Sequence, residues 1–598
     1  GICVAHAGDG ATGCGPVWEA MNFASMGQLT TLWDEDVRGG LPVLFFFTNN
    51  FYAMGGQTSG ETMGWDRLAR IGAGIAPHAL HAETVDGTNP LAVADAVARK
   101  RALLLDRRGP ALLDVECYRA CGHSTTDANA YRSRDELKLW EGYDPIARLS
   151  GEMIDAGALT EDGLAEMREG AGRLIEAITR AAIDPEVSPP VDVPANPTLI
   201  GDLMYSNTEI PEPAGPSTLI KPAEESAALR KLARKARSGR GEDGAALSPM
   251  RAITLRDGLT EAILHHMTHD ARLVAWGEEL REWGGAFGVT RGLSDVLPHH
   301  RLFNAPISEA AIVATALGHA IAGGRSLVEL MYADFIGRAG DEILNQLAKW
   351  QAMSAGRLRL PVVLRASVGS KYGAQHSQDW SALIAHVPGL KVVYPATPFD
   401  AKGLMASALA SNDPVVVFES QRLYDKVETL REEGVPEDYY RIPLGAPDVK
   451  REGGDVTILT IGPSLYPALE AAGELSALGL EAEVIDARAL VPFDYAPVLA
   501  SVEKTGRIAL VSEASERGGM AQTMAATITR HGFASLKAAP VVLGTPNWIV
   551  PGAEMETTYF PQAHDIVEAV TREFYPDRKV NRRGLRDWDA LALAKRGL

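Results

Sequence analysis

The chain has 598 residues, 46% of them hydrophobic and 23% charged, the balance of an ordinary globular protein long enough for several domains. Its formal net charge of −19 excludes a general nucleic-acid or anionic-membrane binder, whose electrostatic footprint is basic. No apolar run reaches membrane-spanning length and there is no signal-peptide pattern; four cysteines without a CxxC pair (Cys3, Cys14, Cys117, Cys121) fit a reducing, cytoplasmic setting.

The sequence enters directly in an apolar run, Ile2–Ala7, which ends in Gly8-Asp9-Gly10. A helical stretch follows, and a second apolar run, Pro42–Phe47, ends in Asn49-Asn50. Continuous apolar runs joined by a helix predict buried parallel strands with a crossover. Ligands of such sheets lie beyond the carboxyl ends of the strands. Asp9 and Asn50 both fall there, and a carboxylate with an amide oxygen suits a hard divalent cation such as Mg2+. Gly8 and Gly10 let the backbone approach a phosphate in front of a helix N-terminus. Either turn alone is ordinary turn chemistry. The two together, each closing a strand, predict an Mg2+-diphosphate site. The 41 positions from Asp9 to Asn50 leave room for an extended helix end and loop over Gln28–Gly40.

Beyond Asn50 the sequence predicts a Gly-rich loop, a helix around Trp65–Ile71, a strand at Ala82–Val85, a helix from Pro90 through Leu105 and a strand at Ala111–Tyr118. This alternation indicates a parallel, doubly wound sheet. The last strand runs into a polar loop carrying His123, a candidate proton donor or phosphate contact. Helices are expected over Arg134–Trp140, Asp144–Asp155 and Thr160–Ile183. From Asp184 to Ala246 prolines, serines and small residues accumulate, as in a linker, with LRKLARKARSGRG as a solvated face or short helix.

A second αβ section begins near Met250, where Leu255, Leu259, Ile263 and Met267 recur at helical spacing. Leu273–Trp276 reads as a strand ending in Gly277-Glu278-Glu279. Ser308 is positioned to cap a small-residue helix, with Glu309 in its first turn. His376 lies in the Gly/Ser-rich loop SVGSKYGAQHSQ. After a bridge over about Asp425–Glu452, strands at Val456–Ile461, Glu483–Ala487 and Ile508–Glu513 and a terminal helix in YFPQAHDIVEAVTREF predict a third α/β section.

Several of these stretches carry a resemblance. GDG followed by NN resembles the thiamine diphosphate fingerprint, and YRxxGHSxxDxxxYRS resembles the loop that closes over that cofactor in 2-oxo acid dehydrogenase E1 alpha chains. PISEAAIVATALGHAIAGGRSLVELMYADF, DEILNQLAK and QHSQ followed by HVPGLKVVYPATPFDAKGL resemble E1 beta chains. DARALVPFD and KTGRIALVSE resemble the transketolase C-terminal domain. The chain therefore resembles a fused alpha–beta E1 component. The implied fold is α/β: two doubly wound, transketolase-like domains, diphosphate-binding over 1–183 and pyrimidine-binding over 247–430, separated by a linker at 184–246 and followed by a C-terminal α/β domain over 450–598.

The resemblance implies that Asp9, Asn50 and the carbonyl of Tyr52 hold Mg2+, and that Gly10 and Ala11 lie against the diphosphate. His123 is implied near the cofactor phosphate and the lipoyl entrance. Glu309 is the carboxylate facing N1′ of the aminopyrimidine, where a shared proton favours the imino tautomer that takes the thiazolium C2 proton. Phe335 stacks on the pyrimidine. His376 transfers a proton during reductive acylation of lipoamide. Carbonyls of Val362, Ala408, Leu409, Ser411 and Asp413 match positions that hold K+ in relatives. Ser124 matches a serine phosphorylated in some animal relatives, and Cys121 stands where many relatives have His.

The implied activity is oxidative decarboxylation of pyruvate or a branched-chain 2-oxo acid, with the acyl group passed to the lipoyl arm of an E2 acyltransferase. The implied assembly is a homodimer, the counterpart of α2β2. Acetoin cleavage, ketol transfer as in transketolase or deoxyxylulose-phosphate synthase, and a non-catalytic scaffold stay open as alternatives. An α/β segment precedes the GDG turn in the family, so the chain is expected to be N-terminally incomplete. The C-terminal section is expected to carry assembly surface and no catalysis.

Overall fold

The computed structural model describes residues 1–190, 192–240, 245, 247–248, 251–578 and 580. Parts of the expected linker (191, 241–244, 246), the expected start at Met250 and the last residues of the third section lie outside them. The chain divides into two compact units, Gly1–Leu199 and Ile200–Leu598.

The first unit is built on four strands, β1 (Cys3–Gly8), β2 (Val43–Asn49), β3 (His81–Asp86) and β4 (Ala111–Glu116). They form an all-parallel sheet in the order β1-β2-β4-β3. Central β4 is buried from Ala111 to Val115, which explains its largely apolar sequence. Asp114, in the middle of the strand, is fully buried and accepts from Asn49 Nδ2 at 3.0 Å and from the backbone N–H groups of Leu68 and Ala69 at 2.8 and 3.2 Å. That carboxylate fixes the start of the Leu68–Ile75 helix against the end of β2. The helix over Pro90–Leu105 starts where its sequence dictates. Asn89 Oδ1 accepts from the Leu91 and Ala92 N–H groups, and Pro90 occupies the first turn. Helices over Arg134–Glu141, Pro145–Asp155 and Glu161–Ile183 complete the unit.

The second unit holds two sheets. Strands β5 (Leu273–Gly277), β6 (Leu302–Asn304), β7 (Arg325–Leu330), β8 (Val362–Val368), β9 (Lys391–Val393), β10 (Val415–Ser420) and β14 (Ala489–Val491) form a seven-stranded sheet ordered β14-β9-β10-β8-β7-β5-β6. Strands β11 (Asp448–Arg451), β12 (Val456–Ile461), β13 (Ala482–Asp486), β15 (Ile508–Ser515) and β16 (Val541–Thr545) form the other, ordered β11-β13-β12-β15-β16. The helix over Leu255–His269 opens with a capping box between Thr254 and Asp257 and buries Leu255, Leu259, Ile263 and Met267 completely. Each such side chain contributes about 1.5–3 kcal/mol before entropy is charged against it.

Two features differ from the sequence expectation. The segment read as a linker is built into the second unit from Ile200 onward. Asp413 accepts from the backbone N–H groups of Ser206 and Asn207 at 2.7 and 2.9 Å, and Tyr205 Oη donates to the Leu390 carbonyl at 3.0 Å. The basic run begins, as expected, in a short helix, Ala227–Ala233, that buries Leu229 and Leu232 and leaves Arg230 and Lys231 exposed. Composition signals a tether, whereas these few apolar and hydrogen-bonding residues decide the packing. The second difference is β14. It lies in DARALVPFD of the third section, yet it pairs antiparallel with β9 of the preceding sheet. Buried ion pairs reinforce that join: Asp400 meets Lys450 and Arg488, both at 2.5 Å.

Candidate active site

The carboxyl end of the first sheet gathers the residues the sequence singled out. After β1, Asp9–Gly13 winds into a 3-10 turn in which Thr12 Oγ1 donates to the Asp9 carbonyl at 2.6 Å. The buried Asp9 carboxylate accepts from the Asn50 N–H at 3.3 Å and from Thr58 Oγ1 at 2.5 Å, and Asn50 Oδ1 accepts from the Tyr52 N–H at 3.0 Å. Phe51 takes a left-handed φ of 62° to make this turn. Gly10 faces it so closely that a Cβ would lie 3.1 Å from Ala53 Cα. The GDG turn and the NN loop are therefore one interlocked structure, with hard oxygen donors from Asp9 and Asn50 beside the Tyr52 peptide. Ala11 is exposed at its rim. Beneath it, burial, helped by the Asp9 charge, pushes the Cys117 thiol up to about 11 and keeps it protonated.

The His123 loop is stitched to the same structure. Arg119 donates to the Ala53 and Met54 carbonyls at 2.6 and 3.1 Å, and the Tyr52 and Tyr118 hydroxyls both donate to Glu136 Oε1, at 2.7 and 2.9 Å. Backbone N–H groups of Asn129 and His123 and the Tyr131 hydroxyl hold Asp127 at about 2, so it is a fixed anion closing the loop. His123 is exposed, with its N–H bound to Asp127 at 2.7 Å. Thr58 and Glu136 were not singled out in the sequence, and Arg119 and Arg132 stood there only as letters of the YRxxGHSxxDxxxYRS motif. Their signal is their clustering after strand ends, which a linear reading spreads over 79 positions.

The second unit carries a separate group at the carboxyl end of its larger sheet. Glu309 starts the Glu309–Ile321 helix and is 7% exposed. Ser308 makes no side-chain cap, contrary to the expected capping. Its φ of −159° and ψ of 75° lie away from ordinary cap geometry. Burial, then the Glu309 and Glu329 charges, push Glu278 up to about 7. Arg365, 2% exposed, donates twice to Glu419 at 2.7 Å and also to Glu329, and the Tyr424 hydroxyl donates to Glu419 at 2.8 Å. His376 meets Tyr332 and Phe335 edge-on, with ring centroids 4.7 and 5.6 Å apart. Tyr332 in turn packs on Phe287 at 5.6 Å. Phe335 and His376, 41 positions apart in sequence, are thus neighbours.

Several of the carbonyls expected to hold K+ accept from other groups of the chain. The Leu409 and Ser411 carbonyls accept from the buried Arg325 guanidinium at 2.7 and 2.5 Å, and Asn412 Oδ1 accepts from it at 2.8 Å. The Ala408 carbonyl accepts the Ser411 N–H at 3.2 Å, and the Asp413 carboxylate meets Lys391 at 2.9 Å. Val362 lies in β8, and the Arg325 guanidinium occupies two of the five carbonyls.

Known families account for most of the chain. The Dehydrogenase E1 component family matches residues 1–190, the transketolase pyrimidine-binding domain 251–426 and the transketolase C-terminal domain 445–566. The beta subunit of acetoin:2,6-dichlorophenolindophenol oxidoreductase from Cupriavidus necator is 41% identical over 336 residues, 54% of this chain and 97% of that protein. The pyruvate dehydrogenase E1 component beta subunit of Bacillus subtilis is 36% identical over 325 residues, 54% of this chain and 99% of that protein. A transketolase structure from Leishmania mexicana, 15% identical, superposes with a TM-score of 0.55 over 97% of this chain and 77% of that one, a likeness of fold. The two sheet ends define a transketolase-like α/β enzyme. The chain belongs to the thiamine diphosphate-dependent 2-oxo acid dehydrogenase E1 family, with alpha-type and beta-type parts in one polypeptide, and is an oxidoreductase of that class. Among the described residues, no helix is long and apolar enough to cross a membrane.

Proposed function

We propose that the chain catalyses oxidative decarboxylation of a short 2-oxo acid, pyruvate or a branched-chain one, and passes the acyl group to the lipoyl arm of an E2 acyltransferase. The observation that carries this reading is His376, half-buried and held edge-on between Tyr332 and Phe335 at a strand end. An imidazole held this way can hand a proton to a sulfur acceptor without drifting.

In this reading Asp9, Asn50 and the Tyr52 carbonyl hold Mg2+, Gly10 and Ala11 flank a diphosphate, and His123 contacts a phosphate. The interlocked turns and the close Gly10–Ala53 approach support that fit. Glu309 holds a proton at the aminopyrimidine N1′, and Phe335 stacks on that ring. When bound, thiamine diphosphate supplies the nucleophilic carbon and the electron sink for decarboxylation. The chain's own residues bind, orient and move protons. The family implies a homodimer equivalent to α2β2 and an E2 partner.

A second reading has a specific basis in the 41% identity to an acetoin oxidoreductase subunit: cleavage of acetoin by the same residues. The test is a panel of pyruvate, 2-oxobutyrate, 2-oxoisovalerate and acetoin with thiamine diphosphate and Mg2+. It is read by dichlorophenolindophenol reduction and by acylation of a lipoyl domain. Dye reduction and lipoyl acylation with a 2-oxo acid are expected. Acetoin as sole substrate would favour the second reading, and ketol transfer between sugar phosphates without dye reduction would sink both.

A further inference from the structure

The loop that carries His376 is closed on itself and held from the third section of the chain. It leaves β8 at Gly369 and returns at His376, and the two limbs touch: a Cβ on Gly369 would lie 1.5 Å from the His376 carbonyl oxygen. Within it, His376 N–H donates to the Gly373 carbonyl at 3.3 Å. Lys371 adopts a left-handed φ of 69°, which a non-glycine residue keeps only when its surroundings enforce it. At that residue Glu556 reaches the loop: its carboxylate accepts the Lys371 backbone N–H across 185 positions of sequence. Glu556 is 7% exposed and opens the short Glu556–Tyr559 helix of the transketolase C-terminal section. The other end of the loop is held from the same section, where Gln378 Nε2 donates to Ser515 Oγ at 3.4 Å. Nearby, Arg422 pairs with Glu513 at 2.9 Å and lies over the Phe560 ring at 5.0 Å, which locks that section beside β10.

We propose that Glu556 is the positioning residue for His376: the C-terminal section shapes the acyl-transfer loop through one carboxylate. Chemically, an ionised acceptor suits this role. It gives the Lys371 N–H a charge-assisted bond in a half-exposed loop, where water would otherwise compete. The proposal rests on the reading of His376 as the proton-transfer group in acyl transfer. It gives the third section a part in the reaction beyond the assembly surface expected from its sequence.

The test uses the full chain and the variants Glu556→Ala, Glu556→Asp and Glu556→Gln. Hydrogen–deuterium exchange of the 369–378 peptide, measured without cofactor, reads the loop directly. Loss of a bond to a charged acceptor predicts about tenfold faster exchange or more in Glu556→Ala and Glu556→Asp, and about threefold or less in Glu556→Gln, which keeps the acceptor oxygen. In Glu556→Ala and Glu556→Asp lipoyl-domain acylation falls about tenfold, while dye-coupled decarboxylation stays within about twofold of wild type. Wild-type exchange rates in both Glu556→Ala and Glu556→Asp would overturn the proposal, as would a parallel fall of acylation and dye reduction. If Glu556→Ala does not fold, Glu556→Asp alone decides by its exchange rate. Faster exchange in a protein whose wild type acylates no lipoyl domain would uphold the clamp and overturn the reading of His376.

Discussion

Replacing Arg365 with methionine isolates the electrostatics of the second unit's core. The guanidinium is 2% exposed and bridges Glu329 and Glu419, themselves 6% and 1% exposed. Methionine fills much of the volume but leaves two buried carboxylates uncompensated. Removing one partner of such a group costs about 3–5 kcal/mol. In a domain the size of the 251–426 match, that loss lowers the melting temperature by about 6–20 °C. The pH dependence is the sharper test. Burial already raises Glu329 above its ordinary range against the pull of Arg365, and removing Arg365 raises it further. Groups raised in the folded state bind protons there that the unfolded chain has released. Their contribution is present at low pH and is lost as pH rises through the folded values. Scanning calorimetry at pH 8 and pH 5.5 should therefore find the larger deficit at pH 8. Equal deficits at both pH values, or a shift below about 2 °C, would refute the reasoning. Adding Glu329→Leu and Glu419→Leu to the same chain should recover most of the loss.

Glu278 predicts a second pH effect. Its folded value of about 7 lies above the ordinary 4.5, so its stabilising contribution is full below 4.5 and lost as pH rises through 7; Glu278→Gln should flatten the melting temperature between pH 6 and pH 8, and an unchanged slope would count against the assignment. Exchanging potassium for sodium should leave the wild-type melting temperature within about 1 °C. Arg325→Ala, which strands the Leu409 and Ser411 carbonyls, should cost about 1–3 kcal/mol per unsatisfied group, read as a lower melting temperature. Glu309→Ala should slow C2–H exchange of bound thiamine diphosphate by about 100-fold or more in NMR, and near-normal exchange would remove Glu309 from that role. Asp9→Ala should abolish Mg2+-dependent cofactor binding in isothermal titration, since it removes the acid that organises both turns.

Strand interiors were legible because burial on both faces forces largely apolar runs, as in Ala111–Val115 and Val456–Ile461. The Leu255–Met267 stripe was legible for the matching helical reason. Strand ends were legible as well, because Asp9, Asn50 and Glu278 are polar residues stopping apolar runs. Contacts that join distant segments left no trace in the sequence. Nothing local to Glu556 announces Lys371, and nothing local to Arg325 announces the Leu409 and Ser411 carbonyls it fills. DEILNQLAK carried a resemblance but no reading of its local structure, and Glu342–Leu347 winds as a π-helix. Residues 200–240 fail for the opposite reason, because proline-rich composition outweighs the few buried side chains that dock them.

The strand exchanged between the two sheets of the second unit has a consequence for modularity. β14 belongs to the transketolase C-terminal match by sequence and to the pyrimidine-binding sheet by hydrogen bonding. A shortened chain ending before residue 445 would leave β9 as a bare sheet edge, a template for aggregation. It would also strip Asp400 of both its cationic partners, a buried charge left alone. The seam recognised in sequence is therefore not a place where the protein can be cut. Shuffling this C-terminal section between relatives should succeed only when the exchanged piece brings a strand whose register matches β9.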